Sequence, residues 1–140
     1  AKTWLLRFVN AEQRVIYRFI CLSRNLTPDR SWDTILTLEG DLAERERAFS
    51  KNHPLGDFVA ALAGLAQRPL AEPRQEDLAT LADEVRRVRF DPPDPFEDIV
   101  FWPMGIGRRR FPLEGRVDRL LVVSPFLSDG FLAQVADLGG

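Results

Sequence analysis

Cysteine, histidine, methionine and tyrosine each occur once in this sequence, and lysine twice. The lone Cys21 excludes an internal disulfide framework and fits a reducing compartment. No apolar run approaches the roughly 20 residues that span a bilayer, and the N-terminus carries no signal-peptide pattern. The expectation is a cytoplasmic protein with no membrane insertion. A formal net charge of −2 is too small to announce a nucleic-acid or membrane partner by itself. Of the 19 basic residues only Lys2 and Lys51 are lysine, the rest being arginine, so each lysine raises the question of whether a compact ammonium is needed there. Against these scarcities, 45% hydrophobic and 29% charged residues over 140 positions suffice for a folded domain with its own core, or for part of a larger one.

Residues 2–9 (KTWLLRFV) and 15–23 (VIYRFICLS) are rich in aromatic and branched side chains and flank the polar segment NAEQR, which predicts a β-hairpin. Alternation with period two places Val15, Tyr17, Phe19, Cys21, Ser23 and Asn25 on one face. A turn built from Asn25, Thr27, Pro28, Asp29 and Ser31 leads to a third strand in WDTILTLEG that stops at Gly40. Asn52 is expected to cap a helix with Pro54 in its first turn and Leu55, Phe58, Val59, Leu62 and Leu65 along one face. A second helix, over about 75–89, aligns Leu78, Leu81, Ala82, Val85 and Val88, with Arg86, Arg87 and Arg89 near its end.

The stretch FDPPDPFED cannot continue a helix and reads as a linker or boundary. Beyond it, IVFWPM reads as a short strand, GIGRRRFPLEG as a loop, and RLLVVSPF as a buried strand leading to a helix over 129–138 capped by Ser128. The expected class is α/β, a mixed β-sheet with flanking helices. It divides into a sheet-bearing part (1–66), a helical and Pro-rich connection (67–98) and a fresh sheet start (99–140).

Three hydrogen-bonding side chains in succession, Ser23-Arg24-Asn25, end the second apolar run. A strand led by Lys2 and followed, after a hairpin, by a strand ending in S-x-N-L-T resembles the phospholipase D superfamily, and in pattern its tyrosyl-DNA phosphodiesterase branch. Lys2 before TWLLRF matches the motif lysine, and Ser23 and Asn25 in SRNLT match the later half. Asp33 in RSWD falls where the family often carries a supporting polar or acidic residue. The resemblance implies a duplicated fold, of which residues 1–66 end the first half and residues 99–140 begin the second.

It also implies a phosphodiesterase acting through a covalent phosphohistidine, with no metal or other cofactor. A histidine would attack phosphorus while Lys2 and Asn25 donate hydrogen bonds to the non-bridging oxygens. That histidine would stand immediately before Ala1, so the chain by itself is expected to be inactive. A structural role for Ser23 and Asn25, ending the strand and forming an Asx-type turn, stays open beside this reading.

The GIGRRR loop could add phosphate contacts through the amides of Gly105 and Gly107 and the guanidinium groups of Arg108, Arg109 and Arg110, or be an exposed basic loop. His53, before Pro54 at a helix start, reads as a surface residue. The expected partner is a phosphodiester, nucleic acid in preference to lipid, because no polybasic or amphipathic membrane-docking segment is evident. The alternative is a non-catalytic interaction module that forms a homo-oligomer through an exposed sheet edge near residues 119–124.

Overall fold

The computed structural model describes residues 2–23, 33–44, 47–107, 115–122 and 127–138. Three long strands, β1 (Lys2–Val9), β2 (Val15–Leu22) and β3 (Ile35–Leu42), form an antiparallel meander. The NAEQR segment closes the first hairpin. The Asn10 side-chain oxygen accepts from the amides of Glu12 and Arg14, at 3.0 and 2.8 Å, and Gln13 takes a φ of 63°. Helices α1 (His53–Leu65) and α2 (Glu72–Glu84) follow. After a 3-10 turn at Val85–Arg87 the chain returns as a short strand, β4 (Val88–Asp91), beside β3. The strand order is β1-β2-β3-β4, and α3 (Asp129–Leu138) lies further along the chain.

The molecule is thus α/β as expected, but every pairing among the described strands is antiparallel, so the sheet is not mixed. The second helix also ends earlier than its periodicity predicts. Val88 and Phe90 continue an apolar pattern that suits either a helix stripe or a two-residue strand repeat, and pairing with β3 decides for the strand.

Val15, Tyr17, Phe19 and Cys21 do share one face, and this is the face that α1 and the 3-10 turn cover. Tyr17, Leu38, Val85 and Val88 are fully buried there. Phe101 reaches this core from beyond the Pro-rich connection, edge-on to Phe19 at 5.4 Å and to Phe90 at 5.6 Å. The connection therefore does not separate residues 99–101 from the first core. The segment around Ile99–Phe101 alternates inward and outward but joins no strand, and Arg119–Val122 are not strand either. Among the described residues the sheet edges are β1 and β4; residues 123 and 124 of the expected edge near 119–124 lie outside the described residues.

Asn52 does not cap α1. Its backbone is helical, and its side chain turns inward, donating to the carbonyls of Val85 at 3.1 Å and Val88 at 2.7 Å. It thereby ties the start of α1 to the strand entry, because two carbonyls released from helix geometry need a donor once buried. Ser128, by contrast, caps α3 as expected, its hydroxyl accepting from the Phe131 amide at 3.3 Å. Arg86 lies across Gly56 of α1 and pairs with Asp57 at 3.0 Å; an added Cβ at Gly56 would meet the Arg86 side chain at 2.6 Å.

Candidate functional site

The first residue of β1 and the last of β2 form one end of the sheet, with Lys2 opposite Leu22. Directly paired residues of an antiparallel ladder project to the same side, so Lys2 shares a face with Leu22, Ile20 and Trp4. Ser23 is the next residue of the Phe19–Cys21 series, which faces the core. Ser23, however, lies one residue beyond β2 in a bend, so strand alternation alone does not fix its side relative to Lys2.

What Ser23 does is visible in its partners. Its amide donates to the Thr34 carbonyl at 3.0 Å, its hydroxyl donates to the Asp33 carboxylate at 3.1 Å, and the same oxygen accepts from the Thr34 amide at 3.0 Å. These bonds close a neck between the ends of residues 23 and 34, from which the segment carrying Asn25 emerges. A hydroxyl already engaged as donor and acceptor is a brace. Ser23 thus ties the end of β2 to Asp33 and Thr34 at the approach to β3. Asn25 and Arg108, Arg109 and Arg110 lie outside the described residues. Because β2 stops at Leu22 and Ser23 is bent, the two-residue repeat gives no face for Asn25.

The two lysines now separate. Lys51 is a structural pin, donating to Asp98 at 2.7 Å and holding the Pro-rich connection against the start of α1, and this bond holds the Asp98 carboxyl below its usual range. Lys2 is exposed and forms no ion pair with a described residue. The arginine cluster does not provide a free phosphate track: Arg86 is held by Asp57 and Arg87 by Asp83 at 2.7 Å, and Arg89 is exposed. His53 opens α1 and is exposed.

On the core side of the same sheet end an apolar cleft of about 460 Å³ opens between Thr3, Cys21 and Leu36 of the sheet, Phe58 of α1, and Trp102 and Met104. A wider hollow lies between Arg7 and α2, where Arg74 and Asp77 balance each other in charge. Among the described residues no cluster of three or more His, Cys, Asp or Glu could hold a metal ion, and no helix is long and apolar enough to cross a membrane.

Sequence reasoning missed one polar cluster. Tyr17 buries its ring completely and donates its hydroxyl to Glu84 at 2.6 Å, while Arg7 grips the same carboxylate at 2.7 and 3.1 Å. The only available signal was a tyrosine on a core-facing position, whose hydroxyl needs a partner; nothing local identifies Glu84. The Arg7 hydrogen bond holds the Glu84 carboxyl below its ordinary range, and burial, aided by the bond to Glu84, pushes the Tyr17 phenol up.

A lowered carboxyl stabilises the fold above the unfolded-state pKa of about 4.3 and loses that contribution as pH falls through the folded value. A raised phenol contributes fully below about 10 and loses its share as pH climbs beyond. Glu84→Gln is expected to cost about 2 kcal/mol at neutral pH and to flatten the acid limb of stability against pH. Tyr17→Phe should flatten the alkaline limb instead. Urea unfolding across pH checks both.

Family models, curated proteins and solved structures give no match to this chain.

Proposed function

We propose that the chain is a segment of a phospholipase D-like phosphodiesterase that acts through a phosphohistidine without a metal, on nucleic acid in preference to lipid. The observation that carries this reading is the pairing of Lys2 with Leu22. It brings Lys2, which pairs with no described acidic residue, to the sheet end from which, one residue on, the Ser-Arg-Asn segment departs. Lys2 and Asn25 then act as donors to the phosphate, and Ser23 with Asp33 braces the segment at its root.

In the proposed reaction a histidine, which the family resemblance would set just before Ala1, forms a P–N bond as the P–O bond to the leaving alcohol breaks. Water then cleaves P–N and releases the phosphate monoester. Lys2 and Asn25 stabilise the extra charge on the non-bridging oxygens in both steps. The duplicated phospholipase D-like architecture belongs to this proposal too, with the second half-domain completing the site.

The test uses the chain extended by its own upstream and downstream sequence, supplied with a single-stranded oligodeoxynucleotide or bis(p-nitrophenyl) phosphate in excess chelator. Hydrolysis with an acid-labile phosphoryl-enzyme is expected. A residue other than histidine encoded before Ala1, or cleavage that requires added metal, would overturn the reading.

A further inference from the structure

The sheet face turned away from α1 divides into two halves of different character. On the β3–β4 half it presents Thr37, Glu39, Asp41, Arg89 and Asp91, as an antiparallel sheet does where it meets water. On the β1–β2 half it presents Trp4, Leu6, Phe8, Ile16, Ile20 and Leu22. Trp4 and Phe8 remain 48% and 47% exposed, and Ile35 at the margin 64%. These strands therefore carry apolar residues on both faces, the pattern of a sheet covered on both sides.

From this we infer that the β1–β2 half-face packs against the same half-face of a second copy of the chain, β1 of one copy over β2 of the other. The inference is independent of the phosphodiesterase reading. With a twofold axis running along the strands between β1 and β2, the observed register sets Trp4 of one copy over Ile20 of the other, and Phe8 over Ile16. The charges are arranged for it. Arg18 is held by Glu39 at 2.5 Å and lies 5.6 Å from the Phe8 ring, and Arg14 is held by Asp41 at 2.6 Å. Across the axis Arg18 meets Leu6 and, in the end row, Lys2 meets Leu22, so no like charges oppose each other.

Strands of eight residues are about 27 Å long, and a pair is about 10 Å wide. The planar footprint is about 270 Å² per copy, so reaching the roughly 1,000 Å² total of a specific dimer depends on the relief of the half-exposed Trp4 and Phe8 side chains.

Multi-angle light scattering of the 140-residue chain over a concentration series tests the inference. The expected result is a mass that rises toward twice the 15.9 kDa of the chain. Trp4→Glu and Phe8→Glu, both at exposed positions, should each weaken association at least about tenfold with unchanged circular dichroism. Leu121→Glu, at an apolar position that is 85% exposed elsewhere on the molecule, should leave it intact. A monomer at every concentration, showing that another segment or partner takes this face, would overturn it. So would a dimer that survives both sheet variants or is dissolved by Leu121→Glu.

Discussion

Under the proposed phosphodiesterase mechanism, Lys2→Met in the intact protein is expected to lower phosphodiester cleavage about 10²–10³-fold, with most of the loss in kcat. A fixed cationic donor aimed at the non-bridging oxygens is worth most where charge develops, in the transition state, and least in the ground state. Removing the ammonium while keeping the length of the side chain isolates that term. Asn25→Ala should fall in the same range.

Ser23→Ala provides the contrast. Its hydroxyl is engaged with Asp33 and Thr34, so the expected loss is about 1 kcal/mol of stability and only a few-fold in rate. Steady-state kinetics beside urea unfolding separate the two outcomes. A Lys2→Met protein of full activity removes the lysine from the mechanism, and a Ser23→Ala protein with activity reduced as far as Lys2→Met restores Ser23 to the chemistry.

Gly40→Val is expected to destabilise the fold by about 3–5 kcal/mol, a large effect for one position. Gly40 sits between Tyr17 on β2 and Phe90 on β4 in the cross-strand row. A Cβ there would lie 2.3 Å from the Arg89 carbonyl oxygen and 2.9 Å from the Phe90 Cα, both backbone atoms that cannot rotate aside. The expected response is detachment of β4, which exposes Phe90 and Val88 and frees the Phe101 ring that packs on them. Hydrogen exchange should then show lost protection at Val88–Asp91 before the β1–β2 hairpin loosens. Unchanged protection there would contradict the close approach.

The contrast between Gly40 and Ser23 shows how far the linear pattern reaches. In the sequence Gly40 reads as a strand end and Ser23 as one of four candidate catalytic residues, with Lys2, Asn25 and Asp33. Strand pairing reverses the emphasis: β3 runs on to Leu42, and Gly40 is the point where a neighbour comes too close for a side chain. Ser23 turns out to be fastened to residues ten and eleven positions later, a partnership its own neighbours could not announce. Asn52 repeats the lesson. A residue type that favours helix caps stands at a helix start, yet its amide is drawn inward by carbonyls more than thirty residues away.

The sequence by itself determined the β1–β2 hairpin, the third strand, the existence of α1 and α2 and the Ser128 cap of α3. Each of these follows from local periodicity, turn chemistry or a single capping side chain. Only the tertiary structure decided that Val88–Asp91 is a strand, that Phe101 shares the first core, that Ser23 is fastened to Asp33 and Thr34, and that Tyr17, Glu84 and Arg7 meet. Those outcomes depend on register and on contacts between residues far apart in the chain. A one-residue change of register moves every side chain of a strand to the other face, while the composition stays the same.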